Sequence, residues 1–161
     1  MRSTNMIAFC GHGRSGKDTA AYAFSKITGL KYAGSMSWLN KSVVAKALDL
    51  PEQTAWETRH QRRMDWYNIL NDYRKEDPAR LIRESMGFGQ VISGIRDFCE
   101  LQAGVSEGLI KFSIWIYRPG IENDPTVTYT SSHCTHSLAN DGDLFLLESR
   151  LKELAEELGL L

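Results

Sequence analysis

The sequence predicts a three-layer α/β domain in which a short parallel sheet is covered by helices on both faces. Apolar runs of strand length alternate with longer helical patterns, as they do in parallel sheets. A glycine-rich stretch, residues 11–16, joins the first apolar run to the first helical pattern. The length of 161 residues fits one domain with a single core.

The first predicted element is a buried strand over residues 6–10, followed by the glycine-rich loop and a helix over 17–28. Glycines let a backbone turn its N–H groups inward, which makes an anion nest. The helix points the positive end of its dipole at the same place, and Lys17 adds a compact positive charge. These features predict a loop that binds nucleotide phosphates. Its candidate residues are Gly11, Gly13, Arg14, Ser15, Gly16, Lys17, Asp18 and Thr19.

Asp18 departs from the strict phosphate-loop pattern, which has Ser or Thr directly after the lysine. In the strict loop that hydroxyl holds magnesium. Two roles are open for Asp18, which can bind the metal directly or through water. Thr19 can still donate a hydrogen bond to an inner phosphate. The alternative is a glycine-rich turn without a ligand, which the flanking strand and helix patterns disfavour.

Helical patterns dominate the region after a short predicted strand over residues 30–33. Ser37 is the predicted N-cap of the first of these helices, and Pro51 suits the first turn of the second. The predicted helices cover residues 38–48, 52–73 and 78–86.

Strands and helices alternate again after residue 88, with predicted strands over 90–93, 109–117 and 137–139 and helices over 97–107 and 144–158. Residues 118–136 are rich in Thr, Ser, Asn, Asp and Pro, which is typical of a mobile loop. In open parallel sheets, ligands bind at the carboxyl ends of the strands. The predicted ligand site therefore lies at the edge that carries the glycine-rich loop.

Composition excludes several classes of function. A net charge of −1 gives no overall basic field for binding nucleic acid. The longest apolar run, residues 112–117, is far too short to cross a membrane. Three widely spaced cysteines fit a reducing cytoplasmic compartment better than a disulfide framework. We therefore expect a cytoplasmic protein that has neither a nucleic-acid nor a membrane partner.

Four motifs carry a resemblance to a known family. They are the loop ending at residues 16–19, the strand and arginine of 91–96 followed by Glu100, the strand and Arg-Pro exit of 114–119, and the Asn-Asp-Gly turn of 138–142. With them the chain resembles the P-loop nucleoside monophosphate kinases, most closely the deoxynucleoside monophosphate kinases of bacteriophages. The chain departs from that family at Gly94 and Thr135, where an aspartate is frequent.

The resemblance implies one P-loop kinase domain over residues 1–161, with ATP and Mg²⁺ as cofactors. It implies an acceptor-binding helical segment at about 35–77 and a lid at about 118–136. If the source is a phage, the location is the host cytoplasm. The implied partners are ATP and a deoxynucleoside monophosphate, and a homodimer is left open.

Lys17, Arg96 and Arg118 are the candidate catalytic residues. Arg96 follows a strand, so it is expected to reach the crevice and bridge the two phosphates; the alternative is a salt bridge to Glu100, one helical turn away. Arg118 is either a lid residue or an exposed turn residue. The candidate acceptor-binding residues are Trp38, Lys41, Arg59, Arg63, Trp66 and Arg74, for which a solvated helix face and ordinary core are the alternatives.

The predicted reaction is ATP-dependent phosphorylation of a deoxynucleoside monophosphate to the diphosphate. Two other functions stay open at the level of sequence. One is a P-loop kinase of another small acceptor, such as a hydroxylated metabolite, which needs a base near the acceptor hydroxyl. The other is a nucleotide-binding regulatory protein with little catalysis.

Overall fold

The computed structural model describes residues 5–161, and within them the chain forms an α/β fold around one five-stranded parallel sheet. The strand order is β2-β3-β1-β4-β5, and every neighbouring pair is parallel. The predicted three-layer P-loop fold class is confirmed. The strands are β1 (Met6–Cys10), β2 (Tyr32–Ser35), β3 (Val91–Ser93), β4 (Ile110–Tyr117) and β5 (His136–Ala139).

The helices cover both faces of this sheet. They are α1 (Lys17–Thr28), α2 (Met36–Leu39), α3 (Lys41–Leu48), α4 (Glu52–Glu57), α5 (Arg63–Tyr73), α6 (Arg80–Ser85), α7 (Phe98–Ser106) and α8 (Leu144–Glu157), with 3₁₀ turns at Arg59–Arg62 and Ser131–His133. Across residues 5–161 we find no helix with the length and apolar character that a membrane crossing requires.

The alternation of side chains along β1 divides the core in two. Met6, Ala8 and Cys10 point to one face, where α2 to α7 pack on them. Ile7 and Phe9 point to the other face, which α1 and α8 cover. All five residues are buried. The central strand is thus enclosed on both sides, and the loop that follows it lies at the middle of the sheet's carboxyl edge.

The connection from β4 to β5 covers one face of the sheet without an α-helix. Val127 and Tyr129 are buried in the core of that face. The Tyr129 ring packs edge-on against Trp115 at 5.7 Å, and its hydroxyl donates to the Ile95 carbonyl at 2.5 Å. The composition predicted a mobile loop throughout, but its second half is packed, because two apolar residues anchor it and its polar groups find partners.

The predicted helix over residues 38–48 is wrong in its start and its continuity. Ser35, not Ser37, is the N-cap, and its Oγ accepts from the Trp38 N–H at 3.2 Å. Asn40 separates α2 from α3, because its side-chain Nδ2 donates to the Met36 carbonyl at 2.7 Å. Asn side chains compete in this way with the helical hydrogen-bond ladder.

The predicted helix over residues 52–73 is interrupted between α4 and α5. Thr58 ends α4, and its hydroxyl donates back to the Thr54 carbonyl at 2.7 Å. The 3₁₀ turn that follows carries Arg59 before α5 starts at Arg63. The bend leads Arg59 and Arg63 into the same cleft.

Gly89 determines how closely the chain before β3 approaches β2. A Cβ at this position would lie 2.5 Å from the Lys31 carbonyl oxygen and 2.8 Å from the Ala33 nitrogen. The Lys31 carbonyl accepts backbone hydrogen bonds from Gln90 and Val91, at 2.9 and 3.1 Å. Strand β2 starts at residue 32 rather than 30, where these backbone contacts bring it against β3.

We predict that Gly89→Ala lowers the free energy of unfolding by about 1–3 kcal/mol, because backbone atoms cannot move aside as a flexible side chain can. Urea unfolding followed by circular dichroism measures the change. Gly87→Ala is the matched control, since its Cβ would meet only the Glu84 carbonyl at 3.9 Å. Equal stability of the two variants would contradict the assigned contact.

Candidate active site

Asn140, which follows β5, contacts the glycine-rich loop between β1 and α1 and stabilises it. Gly16 has a left-handed backbone with φ of 88°, and a Cβ there would clash with the Asn140 Nδ2. The same Nδ2 donates to the Ser15 carbonyl at 2.9 Å. The Asn-Asp-Gly turn after β5 therefore holds the loop in shape, and only glycine fits at residue 16.

Lys17 starts α1 and lies almost fully buried beneath the loop. Its Nζ donates to the His12 carbonyl at 3.4 Å, a long hydrogen bond. Burial lowers the pKa of Lys17, and the nearby Asp18 carboxylate opposes this shift. A weakly solvated ammonium group at this position is suited to bind an incoming phosphate.

Asp18 and Ser93 bring a carboxylate and a hydroxyl together at the carboxyl edge. The Ser93 Oγ donates to the Asp18 Oδ1 at 2.6 Å and lies 2.6 Å from the Tyr32 hydroxyl. Burial raises the pKa of Tyr32 to about 12. P-loop enzymes hold magnesium with a loop hydroxyl and a strand-end aspartate. This chain has the same two ligand types with their positions exchanged.

These residues fit a magnesium ion. Magnesium in nucleotide sites takes one or two carboxylates and completes its shell with water and phosphate oxygens. Asp18 supplies the carboxylate, and Ser93 adds a hydroxyl that sequence reasoning did not identify. Thr19 is exposed on the first turn of α1. Across residues 5–161 no group of three or more His, Cys, Asp or Glu residues suits a metal ion, which such a site does not require.

Asp124 is the centre of the charged network and was missed from the sequence. Its Oδ2 accepts from Arg63 at 2.7 Å and from Arg96 at 2.6 Å. Its Oδ1 accepts from the backbone N–H and the hydroxyl of Thr126, and its own N–H donates to the His12 Nδ1 at 3.0 Å. The only sequence signal was an acid in a polar loop, because its arginine partners are distant along the chain.

Several groups hold Asp124 ionised. Burial raises its pKa, but hydrogen bonds from Thr126 and the charge of Arg96 outweigh burial and hold the pKa well below its usual range. The salt bridge from Arg96 to Glu100 that the sequence left open is not formed. Arg96 pairs with Asp124 instead, and its guanidinium lies at the mouth of the cleft.

A pocket opens next to the phosphate loop, and its 690 Å³ of empty space includes the solvent at its opening. Its mouth carries Arg59, Arg63 and Arg96, and its interior is lined by apolar and aromatic side chains from α2, α5 and α6. The lining includes Met36, Trp66, Tyr67, Leu70 and Leu81. A cationic mouth over an aromatic interior suits an anionic ligand that carries a ring.

The same arginines also line the cleft of the phosphate loop. Lys17, Asp18 and Gly13 line that cleft together with Arg59, Arg63 and Arg96. The last three residues are thus shared by both spaces. The guanidinium groups therefore lie at the junction of the two spaces.

The remaining candidates occupy different positions relative to these two spaces. Lys41 stacks on the Trp38 ring at 3.6 Å, and neither residue lines the 690 Å³ pocket, although Trp38 lines the outer cleft. Arg118 is exposed after β4 and lines neither space. Arg74, predicted to grip the acceptor phosphate, is buried in the pocket wall, where it hydrogen-bonds Asn71.

Glu100 on α7 faces Arg74 at the inner end of the pocket. Its Oε2 lies 3.7 Å from the Arg74 Nε, beyond hydrogen-bond distance, and only 2% of the residue is exposed. Burial raises the pKa of Glu100 from 4.5 to about 7, although the charge of Arg74 opposes the shift. The pocket therefore contains an acid whose charge state changes near neutral pH.

Solved structures with the same fold include two shikimate kinases. The enzyme from Bacteroides thetaiotaomicron superposes with a TM-score of 0.58 at 11% identity, covering 96% of this chain and 98% of that chain. The enzyme from Aquifex aeolicus gives 0.50 at 16% identity, with 96% of each chain covered. No protein-family model and no curated protein sequence matches the chain. The resemblance to P-loop kinases is thus confirmed at the level of fold.

The raised pKa of Glu100 predicts a pH-dependent stability. The folded state binds its proton more tightly than the unfolded state, so the free energy of unfolding falls as pH rises from about 4.5 to 7. At about 1.4 kcal/mol per pKa unit, the fall is about 3 kcal/mol. Glu100→Gln removes this component of the slope, which urea unfolding at pH 5, 6, 7 and 8 measures.

Glu148→Gln is the matched control for that series. Glu148 is an exposed glutamate on α8, so its variant is expected to follow the wild-type pH profile. Parallel profiles for wild type and Glu100→Gln would show that the buried acid does not titrate as assigned.

Proposed function

We propose that the protein transfers the γ-phosphoryl group of ATP to a deoxynucleoside monophosphate and forms the diphosphate. One observation carries the proposal: Arg59, Arg63 and Arg96 are shared by the phosphate-loop cleft and the aromatic pocket. Two phosphate groups that approach from the two sides would meet at these charges. The sequence resemblance adds the preference for deoxyribose.

The phosphate loop is the proposed donor site. Lys17 and the N–H groups of residues 13–19 would hold the ATP phosphates, helped by the N-terminus of α1. Asp18 and Ser93 would hold magnesium, which neutralises charge on the phosphates when it is bound. Arg118 and residues 119–123, most of which are exposed, are the proposed lid over ATP, where exclusion of water would limit hydrolysis.

The 690 Å³ pocket is the proposed acceptor site. Arg59 and Arg63 would bind the acceptor phosphate at the mouth, and Trp66 and Tyr67 would contact the base inside. Arg96 would stabilise the charge that spreads over the transferring group. An acceptor phosphate is already ionised near neutral pH, so the reaction needs no general base. Catalysis would rest on positioning and electrostatics.

A second candidate is a kinase of a hydroxylated acceptor. The two neighbours are named for shikimate as the acceptor. Such a reaction needs a base near the hydroxyl, and Glu100, with its pKa of about 7, lines the pocket. The cationic mouth favours an acceptor that carries a phosphate, so we place this candidate second.

Measuring ADP release across acceptors tests the proposal. With Mg²⁺–ATP, we expect release above the acceptor-free rate with deoxynucleoside monophosphates and background rates with Lys17→Ala. Turnover with shikimate alone would favour the second candidate. ATP binding without any acceptor-dependent turnover would favour the regulatory function, and absence of Mg²⁺–ATP binding by calorimetry would exclude all three.

We predict that Arg96→Lys lowers kcat by about 10²-fold or more, because lysine keeps the charge but loses the planar fork that binds two oxygens. Initial rates at saturating ATP and acceptor measure this. Arg83→Lys is the control, since Arg83 is an exposed arginine paired with Asp77 and Glu107. Thermal unfolding checks that the Asp124 network survives, and an unchanged kcat would refute the role.

A further inference from the structure

A relay of two short hydrogen bonds joins Tyr32 on β2, Ser93 on β3 and Asp18 on α1. The Ser93 Oγ donates to the Asp18 Oδ1 at 2.6 Å, and the Tyr32 hydroxyl lies 2.6 Å from the same Oγ. A carboxylate accepts hydrogen bonds but does not donate them, so the single Ser93 hydroxyl hydrogen is used on Asp18. Tyr32 must therefore be the donor to Ser93.

The relay connects an exposed carboxylate to a buried anchor. Asp18 is exposed at the cleft of the phosphate loop, whereas Ser93 is fully buried. A serine hydroxyl can rotate its hydrogen toward any acceptor within reach. Because Tyr32 donates to the Ser93 oxygen, the Ser93 hydrogen is directed at Asp18. Burial, assisted by the negative charge of Asp18, raises the pKa of Tyr32 to about 12, so its hydroxyl keeps its proton at neutral pH.

Asp18 is the carboxylate of this cleft that is best placed to bind a metal ion. Among residues 5–161, the acids that line the cleft are Asp18, Glu122 and Asp124. Asp124 is already paired with two arginines, and Glu122 lies on the exposed part of the connection from β4 to β5. Asp18 lies in the first turn of α1, next to the phosphate loop. The relay engages one of its oxygens, and a carboxylate can bind magnesium through the other.

We propose that Tyr32 is a positioning residue for the magnesium site and that it acts through Ser93 on the orientation of Asp18. Tyr32 itself would not contact the metal. Residues that orient a metal ligand from behind typically change the metal affinity by about 10- to 100-fold. The role rests on the proposed donor site and adds a residue to it, and it does not depend on which acceptor is phosphorylated.

Calorimetric titration with the β,γ-imido analogue of ATP tests this role without turnover. Dissociation constants are measured in EDTA and in Mg²⁺, and their ratio reports what the metal contributes to binding. Tyr32→Phe removes the hydroxyl and keeps the ring, so we expect it to lower the ratio by about tenfold and to leave the value in EDTA unchanged. Tyr22→Phe is the matched control and is expected to keep the wild-type ratio, because Tyr22 is exposed and only its ring packs on Tyr32, at 6.5 Å.

The double variant tests whether Tyr32 acts through Ser93. We expect Ser93→Ala to lower the ratio at least as much as Tyr32→Phe does. Tyr32→Phe combined with Ser93→Ala is expected to lose no more than Ser93→Ala alone, because the tyrosine then has no hydroxyl to orient. Additive losses overturn the action through Ser93.

The possible results separate this role from the proposed function. An unchanged ratio in Tyr32→Phe, or no effect of Mg²⁺ on wild-type binding, overturns the role while the phosphate loop remains a nucleotide site. An equal loss of affinity with and without metal shows merely structural damage and overturns it as well. If the wild-type protein does not bind the analogue under either condition, the proposed donor site fails and the role of Tyr32 fails with it.

Discussion

The structure depends on one buried carboxylate. Asp124 binds Arg63 from α5 and Arg96 from the end of β3, and its backbone contacts the phosphate loop through His12. A buried charge is tolerated only when its partners are in place. The segment between β4 and β5 must therefore follow the path that delivers residue 124 to both arginines. Val127 and Tyr129 anchor that path in the core.

The same network prepares the site electrostatically. Asp124 offsets one of the two arginine charges, so the junction of the two clefts keeps a net positive charge near Lys17. Donors held in position before the ligand arrives need no reorganisation during reaction. The packed half of the segment thus orders the arginines, while residues 118–123 are largely exposed.

Local signals made the phosphate loop predictable. The glycines, Lys17 and the flanking strand and helix are consecutive in the chain, and their geometry follows from backbone conformation and the helix dipole. The predicted helix boundaries were wrong where a side chain formed a hydrogen bond to the backbone at the end of a helix, as Asn40 and Thr58 do. Glu100 belonged to one of the recognised motifs and Arg74 to the predicted acceptor-binding residues. Their pairing was not predicted, because it depends on how α5 packs against α7.

The sequence alone determined the parallel α/β class, the phosphate loop and the presence of basic and aromatic residues between β2 and β3. These follow from periodicity, glycine spacing and composition, which act over a few residues. Tertiary structure alone decided that Asp124 pairs with Arg96, that Ser93 joins Asp18, and that the arginines lie between two clefts. Those contacts join residues 28 to 75 positions apart, where only packing of the whole chain selects the partners.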